Sequence, residues 1–323
     1  MKARAVVLSL PLLVASSARL SAQVAEPPTR EEADQLRVRI AAGARLGFEP
    51  TSLRIVPPRE GWVLGMVSWI AAGKDGVTYL LHRGKDVAPI VAIDRDGRVL
   101  RSWGEGLFVM PHGIRVDPDG NIWTTDAATS VVRKFNPEGT LLLTIEVGGQ
   151  PSPCPNNFCG TTDVGFGPGG RLFIADGYAN GRVVEYTADG RKVAELGSLG
   201  TGPGQMQVVH SVVVGPEGVI YVADRENGRI QRFDLTGKFL GMWTGFGKTF
   251  SLALDGDAIW LATQARNDPN LAPGWLVKVD RSTGKMLGYL NSEGNHGMSV
   301  APNGDLLLGP GPGRVPARYR RVP

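Results

Sequence analysis

The sequence has few cysteines, few histidines and little net charge. It contains 2 cysteines and 4 histidines in 323 residues, and its 35 Lys and Arg against 31 Asp and Glu give +4. Lys2, Arg4 and Arg19 lie in the first 22 residues, which hold no acidic residue, so 4 − 3 leaves +1 for the remainder. Four of the remaining basic residues crowd the last ten positions. The body therefore lacks the basic face that a nucleic acid requires, and no nucleic-acid partner is expected.

Low-complexity sequence and long internal apolar runs are also absent. Glycine (44) and proline (23) make up about one residue in five without a collagen period. Together with 42% hydrophobic residues, this composition excludes dominant disorder and indicates many short elements joined by tight turns. No segment after residue 22 approaches the length of a membrane span, so none is expected.

Residues 1–22 have the features of a secretory signal peptide. Lys2 and Arg4 precede the apolar stretch AVVLSLPLLVASSA, and Ser21-Ala22 forms a small-residue cleavage site. A membrane anchor is the weaker interpretation, because the stretch is too short to span a bilayer comfortably. We therefore expect an exported protein, periplasmic or extracellular, in which only Cys154 and Cys159 are available for a disulfide.

One pattern of turns and β-rich segments recurs from about residue 65 to the end. A first glycine turn occurs six times, as in DPDGN (117–121) and GPEGV (215–219), and a second occurs five times, as in NPEGT (136–140) and TADGR (187–191). Segments such as NIWTTD and VIYVAD carry β-branched and aromatic residues typical of strands. Four strands per unit, at a spacing of about 40 to 50 residues, predict an all-β fold, a six-bladed β-propeller.

The ends of this repeat are less regular. No fourth strand is legible in the last unit, so the segment TSLRIV (51–56) is expected to close the ring. Residues 30–44 read as a short helical or flexible lead-in. The predicted organisation is a signal peptide (1–22), a lead-in with the closing strand (23–60) and the propeller (61–323).

Three of the four histidines occupy one repeat position. His112, His210 and His296 each open the first strand of a unit, in blades two, four and six. First strands line the central channel of a propeller, so the imidazoles should lie about 120° apart around the axis. Three histidines with an open fourth position are a ligand set that catalytic zinc uses. His82 has no such counterparts and is interpreted as a satisfied polar residue.

The loop after the second strand of each blade should lie beside these histidines. Blade three has DGYANGR (176–182) where blade four has DRENGR (224–229), so blade three carries one extra residue near Tyr178. Arg83, Tyr178 and Arg225 do not fit the repeat, and we select them as candidate functional residues. The Asp, Asn and Arg residues that do recur are expected to cap turns and to pair between blades.

At these residues the sequence resembles the lyase domain of peptidylglycine α-amidating monooxygenase, a six-bladed propeller of NHL-type repeats. HRGKDV, MPHGIRVDPDGNIWTTD, FCGTTDVGFGPGGRLFIADGYANGR and HSVVVGPEGVIYVADRENGRIQRF carry the resemblance, which extends more weakly through GNHGMSVAPNGDLLLG and covers most of residues 65–310. It implies an enzyme that cleaves peptidyl-α-hydroxyglycine to a peptide amide and glyoxylate. The hydroxylated substrate is expected from a separate monooxygenase.

The resemblance also implies roles for individual residues. His112, His210 and His296 would hold zinc, Tyr178 would be the general base with Arg83 beside it, and Arg225 would bind the substrate carboxylate. The family's calcium contacts include backbone carbonyls at Ile70 and Ile114. Its calcium-binding aspartate and a nearby methionine are replaced here by Gly297 and Gly294. Calcium is therefore expected to bind weakly or not at all.

The family's disulfides are not reproduced. The residue that would pair with Cys159 is Ala179, so Cys154 is expected to pair with Cys159 across CPNNFC. Two other functions remain open on the residues alone. The chain could be a non-catalytic propeller that binds a protein or carbohydrate, or another propeller enzyme such as a lactonase, although lactonases usually hold metal with carboxylates and amides.

Overall fold

The computed structural model describes residues 29–151, 154–265, 274–311 and 313–322. The predicted signal peptide lies outside these residues. In the described part of the chain, no helix has the length and apolar character needed to cross a membrane.

A single α-helix precedes the propeller in the described residues. Helix α1 (Arg30–Ala41) begins with a capping box, in which Thr29 and Glu32 satisfy each other's backbone N–H groups. Its buried residues Ala33 and Ile40 pack into the apolar cluster between blades four and five. Residues 30–41 of the lead-in are therefore a docked helix, which decides between the two states that the sequence left open.

Six antiparallel sheets of four strands form the blades, which confirms the predicted propeller. Blade one contains β2 (Val67–Ala72), β3 (Thr78–His82), β4 (Ile90–Ile93) and β5 (Val99–Trp103). Blade two contains β6 (Pro111–Val116), β7 (Ile122–Asp126), β8 (Val131–Phe135) and β9 (Leu141–Glu146). Blade three contains β10 (Asp163–Phe166), β11 (Leu172–Asp176), β12 (Arg182–Tyr186) and β13 (Lys192–Leu196).

A short parallel pair, β14 (Ser198–Leu199) and β15 (Gln205–Met206), links blades three and four. Blade four contains β16 (Val209–Val214), β17 (Val219–Asp224), β18 (Arg229–Asp234) and β19 (Phe239–Thr244). Blade five contains β20 (Lys248–Asp255), β21 (Ala258–Gln264), β22 (Gly274–Asp280) and β23 (Met286–Ser292). Blade six contains β24 (Gly297–Val300), β25 (Leu306–Gly309), β26 (Ala317–Arg321) and β1 (Phe48–Ser52). Short 3₁₀ turns span Pro155–Asn157 and Pro168–Gly170.

Burial falls from the axis to the rim of each blade. Every residue of the inner strand β16 is buried, whereas four of the five residues of the outer strand β13 are exposed. The core lies between adjacent blades, where apolar faces pack together, as in the cluster that joins blades three and four through Phe173 and Val212. The predicted glycine turns adopt the left-handed conformation, for example Gly120 at φ 91° and Gly190 at φ 84°.

The ring closes in the last sheet, but the closing strand differs from the predicted one. Strand β1 pairs antiparallel with β26, with Phe48 opposite Arg321, so the paired segment is 48–52 rather than 51–56. Leu53 and Ile55 instead pack against the apolar cluster of blade one, and Val56 bridges to Arg98. The packing of these half-buried side chains takes residues 53–56 away from the last sheet.

Candidate metal centre and active site

Three histidines meet on the propeller axis. The imidazole centroids of His112, His210 and His296 lie 4.8, 4.8 and 5.0 Å apart, and their nearest ring nitrogens all lie within 4.8 Å of one another. Each comes from the start of an inner strand on an alternate blade, as the sequence predicted. Among the described residues, these three histidines form a group that could hold a metal ion.

Each imidazole is oriented by a backbone carbonyl. His112 Nδ1 donates to Thr162 O (2.8 Å), and His210 Nδ1 donates to Phe250 O (2.6 Å). His296 Nδ1 donates to Ser68 O (2.9 Å). Since a carbonyl only accepts, Nδ1 carries the proton in each ring and Nε2 keeps its lone pair for a ligand.

Burial keeps these imidazoles neutral. Loss of solvation holds the pKa of His112 and of His210 well below the ordinary value, and lowers the pKa of His296 to about 3. The positive charge of Arg225 lowers the pKa of all three, and that of Arg83 lowers the pKa of His112 and His296. Neutral imidazole is the metal-binding form, so protons would not compete with a metal ion near neutral pH.

The donor set fits a zinc ion. Three imidazole Nε2 atoms converge, and their Nδ1–H groups are fixed by carbonyls. A three-nitrogen site with an open fourth position is the arrangement of a catalytic zinc rather than a closed structural one. The geometry shows that the trio could bind a metal; the assignment to zinc stays a prediction.

Tyr178 lies on the open side of the histidines. Its hydroxyl is 3.0 Å from His112 Nε2 and 3.4 Å from His210 Nε2. The loop that carries it has five residues between β11 and β12, against four between β17 and β18, which confirms the predicted insertion. Burial raises the pKa of the Tyr178 phenol, and the charges of Arg225 and Arg83 oppose that rise.

The two candidate arginines flank this tyrosine. The Arg225 guanidinium lies over the rings of Tyr178 (5.6 Å) and Phe250 (4.9 Å). Arg83 donates to Pro111 O (2.9 Å), an interaction that holds it beside the first histidine strand. The structure therefore brings all three candidate residues of the loops close to the histidine trio.

Two neighbours of the arginines were missed by sequence reasoning. Glu226 accepts from Arg225 Nε (2.9 Å) and pairs with Lys248 (2.8 Å), so it orients Arg225. Phe158, whose ring is 5.1 Å from that of Tyr178, lies under the Arg83 guanidinium at 5.4 Å. Its place next to a cysteine was the available signal, because the Cys154–Cys159 disulfide closes the loop that presents it.

The disulfide and the interpretation of His82 agree with the structure. Cys154 and Cys159 are bonded to each other. His82 is buried, with Nε2 donating to Ala88 O (2.9 Å) and Nδ1 accepting from Gly84 N (2.9 Å), and both of its ring nitrogens are therefore satisfied. It has no role at the trio.

The recurring Asp and Arg residues of these loops form their ion pairs within a blade. Arg182 Nε donates to Asp176 (2.8 Å), and Arg229 Nε donates to Asp224 (2.7 Å). The expected pairing between blades is therefore wrong for the ion pairs, but the same arginines do reach the segments that link the blades: Arg182 donates to Gly148 O (3.2 Å), and Arg229 donates to Gly202 O (2.8 Å). The reason is geometric: each Asp ends a strand and each Arg begins the next, so the two residues are register partners.

The Trp69 indole lies where the family resemblance would place a calcium-binding side chain. Ile70 and Ile114, whose carbonyls the resemblance selects, are buried on the inner strands β2 and β6. A Cβ at Gly297 would overlap the Trp69 ring, so this backbone position cannot accept an aspartate while the indole is present. A Cβ at Gly294 would likewise overlap Pro310. Whether calcium binds stays a prediction.

Comparisons with known proteins support a family. An NHL repeat model matches residues 108–135 and 207–233, which lie in blades two and four. The chain is 42% identical over 154 residues to rat peptidylglycine alpha-amidating monooxygenase, covering 45% of this chain and 16% of that protein. It is 27% identical over 282 residues to a probable peptidyl-alpha-hydroxyglycine alpha-amidating lyase of Caenorhabditis elegans, covering 76% and 79%.

The similar solved structures support the propeller fold and nothing further. A streptogramin B lyase superposes with a TM-score of 0.59 at 15% identity, covering 85% of this chain and 98% of that one. A gluconolactonase from Xanthomonas campestris gives 0.57 at 14% identity, covering 87% and 98%. Together, the repeats, the propeller and the sequence relatives show that the chain belongs to the peptidyl-α-hydroxyglycine α-amidating lyase family.

Proposed function

We propose that this chain is an exported, zinc-dependent lyase that cleaves the C–N bond of peptidyl- or N-acyl-α-hydroxyglycine to give an amide and glyoxylate. One observation carries the proposal. A phenol lies 3.0 Å from an imidazole Nε2 in a trio of such nitrogens, between two guanidinium groups. The names of the relatives supply the substrate class, and the residues at 1–22 supply the expectation of export.

His112, His210 and His296 would hold the zinc ion through Nε2. When bound, zinc supplies Lewis acidity that makes the hydroxyl group of an α-hydroxyglycine more acidic. The protein contributes fixed ligands, because each imidazole is already oriented by a carbonyl. Pre-orientation of this kind strengthens metal binding.

The reaction needs a base and then a proton for the leaving nitrogen. Tyr178, as phenolate, accepts the proton of the substrate hydroxyl, and the O–H electron pair becomes the second bond of the aldehyde C=O. The C–N electron pair leaves with the amide nitrogen, which takes that proton back from the Tyr178 phenol to complete the NH₂ group, and the phenolate is regenerated. The atoms balance as one hydroxyglycine giving one amide and one glyoxylate.

The arginines support this step in different ways. Arg225, oriented by Glu226, presents a planar guanidinium suited to the carboxylate of the substrate. Because burial raises the pKa of the Tyr178 phenol, the phenolate depends on nearby positive charge: Arg83, held close by, and Arg225 act in that direction, and a bound metal ion would do the same. The apolar ring of Phe158 is 36% exposed at the edge of this site, so it can contact the acyl part of a substrate.

The substrate must be a hydroxylated glycine derivative. Relatives of this chain are named monooxygenases, and the aligned part covers only 16% of the rat protein. We assign the cleavage step to this chain and propose that a monooxygenase supplies the hydroxylated substrate. The partners are then a small peptide or N-acylglycine derivative and, indirectly, that hydroxylating enzyme.

The test combines metal analysis with product formation. Mature protein, purified without chelator, should contain about one zinc per chain and release glyoxylate from N-benzoyl-α-hydroxyglycine. The double variant His112→Ala/His210→Ala should lose both properties, whereas His82→Ala should keep its metal content per folded chain. Zinc-loaded protein that releases no glyoxylate would favour a non-catalytic propeller that binds a protein or carbohydrate.

A further inference from the structure

An indole lies across the propeller axis directly beside the histidines. The Trp69 ring centroid is 6.1, 6.3 and 6.2 Å from those of His112, His210 and His296, so it is nearly equidistant from all three. Trp69 is fully buried on the inner strand β2. It forms one wall of the metal centre and closes the channel on that side.

A guanidinium group supports this indole from further along the channel. Arg115 follows His112 by three residues on β6, and its guanidinium carbon lies 4.9 Å from the centre of the Trp69 ring. Its donors reach four further blades: Asp163 (2.8 and 2.7 Å) in blade three, Ser211 (3.2 Å) in blade four, Leu252 O (2.9 Å) in blade five and Met298 O (3.4 Å) in blade six. With Trp69 in blade one and its own place in blade two, Arg115 contacts every blade.

The charge of this group is neutralised inside the protein. Asp163 is fully buried and accepts two bonds from Arg115, and it also accepts from Ser211 Oγ (2.6 Å) and Val212 N (3.1 Å). The Arg115 side chain is only 12% exposed. Removal of the guanidinium would leave a buried, unpaired carboxylate on the axis, which is strongly destabilising.

Ser68 connects the indole to the metal ligands. It immediately precedes Trp69, its carbonyl accepts from His296 Nδ1 (2.9 Å) and its hydroxyl donates to His112 O (2.5 Å). A shift of Trp69 would move Ser68 with it and disturb two of the three ligands. Groups that hold a ligand in this way affect metal affinity about 10- to 100-fold.

We infer that Arg115 is a positioning residue of the metal centre: its guanidinium is a built-in cation on the propeller axis that fixes Trp69 and, through Ser68, orients His296 and His112. The inference rests on the proposed function only in taking the histidine trio as the metal site. The new element is that a side-chain cation, the Arg115 guanidinium, lies on the axis, where it is bound by a carboxylate, a hydroxyl and two carbonyls.

The test uses chemical rescue of Arg115→Ala in the full-length mature protein. We expect its melting temperature to fall by about 5 °C or more and its zinc dissociation constant, measured by chelator competition, to rise about 10-fold or more. About 10 mM guanidinium chloride should restore part of both losses, whereas equal sodium chloride should not, because only guanidinium fits the vacated contacts.

The matched control is Arg232→Ala. Arg232 also lies over an indole, that of Trp243 at 5.3 Å, but in blade four away from the metal ligands. The Arg232→Ala variant should keep the zinc affinity of the wild type, and added guanidinium chloride should not change that affinity. Wild-type zinc affinity in Arg115→Ala, or a loss that guanidinium does not restore, would overturn the inference.

A second variant covers the case in which Arg115→Ala does not fold. Arg115→Lys keeps the charge but cannot bond Asp163, Ser211 and both carbonyls at once, so zinc affinity should fall to an intermediate level. Unchanged affinity in this variant would also overturn the inference. A zinc-loaded wild type that releases no glyoxylate would remove the proposed lyase function and leave this inference standing.

Discussion

Tyr178 reaches the histidine trio because blade three has one more loop residue than blade four. The extra residue lies in the loop between two regularly paired strands, so it changes the direction of the Tyr178 side chain without disturbing the sheet. The loop is also anchored from outside the blade, since Tyr178 N donates to Gly160 O (3.3 Å) beside the disulfide-closed segment. A single insertion thus converts a repeat position into a candidate catalytic position.

Replacement of Tyr178 should separate chemistry from metal binding. Tyr178→Phe removes only the phenolic oxygen, so zinc content and melting temperature should stay near the wild-type values. Glyoxylate release should fall by roughly 10² to 10⁴, the range for loss of a general acid or base. Tyr186→Phe, at a buried tyrosine of the same blade, is the control and should retain activity. Wild-type turnover by Tyr178→Phe would rule out the assigned role.

The arginines should give different kinetic signatures. Arg225→Ala should raise KM, because the substrate carboxylate loses its contact, and should also lower kcat, because the charge and hydrogen bond of Arg225 help to lower the pKa of the Tyr178 phenol. Arg83→Ala should chiefly lower kcat, because the phenolate of Tyr178 loses a neighbouring positive charge. Steady-state kinetics on one hydroxyglycine substrate would measure both. Equal effects of the two variants on KM alone would contradict the division of roles.

The buried histidines should make metal-free protein sensitive to acid. Their folded pKa values lie below 6.5, and that of His296 is about 3, so the unfolded chain binds more protons between these limits. Stability should therefore fall as the pH drops from about 6.5, by up to about 1.4 kcal/mol per pH unit for each histidine.

Thermal unfolding of the apoprotein from pH 7 to pH 4 measures this slope. A triple change of His112, His210 and His296 to Gln should flatten it, whereas His82→Gln should leave most of it. An unchanged slope in the triple variant would show that other groups dominate the acid sensitivity.

At the scale of elements, the closing strand is the connection that turns an open row of blades into a ring. Strand β1 pairs with β26 over five residues, and Phe48 packs edge-on against Trp260 at 5.5 Å. Without it, β26 would become an exposed edge, and the last blade would lose part of its apolar cover. The contribution of β1 is therefore expected to be global.

Truncation should show this contribution. A chain that begins at Arg45 keeps β1 but lacks α1, and a chain that begins at Leu53 lacks both elements. We expect the second chain to melt at a clearly lower temperature than the first, or to aggregate, because it exposes the edge of β26. Equal melting temperatures would contradict the role of β1 in closure.

For the whole molecule, the axis is the place where all six blades meet. Trp69 and Arg115 fill the axial channel next to the histidines, and Gly297 packs directly against the Trp69 indole. The position where the family resemblance would place a calcium-binding carboxylate therefore holds no side chain. Its neighbouring space is taken by an aromatic ring instead.

Calcium should consequently have no effect on stability. Any ligand that binds only the folded state raises the melting temperature by mass action, so a useful native site would be visible. We expect the same melting temperature in millimolar calcium and millimolar magnesium. A clear rise with calcium that magnesium does not reproduce would show that carbonyls such as those of Ile70 and Ile114 suffice.

The sequence alone determined the propeller, the histidine trio and the three loop residues selected for the candidate site. Six glycine turns and β-rich segments define a repeat, and equivalent positions of the repeats are related by rotation about the propeller axis. Three histidines at the same repeat position are therefore expected to converge on that axis. The same logic marked Tyr178 and Arg225 as departures from the repeat. These inferences worked because they depend on local spacing and on rotational symmetry.

Only the tertiary structure decided the contacts that cross between distant parts of the chain. The closing strand is 48–52 because residues 53–56 are drawn to blade one, a competition that no local pattern reveals. In the sequence, Arg115 looks like an ordinary charged residue of a strand, yet its hydrogen-bond partners lie 48 to 183 residues away. Such contacts are set by which side chains the ring brings to its axis, and that is known only once the ring has closed.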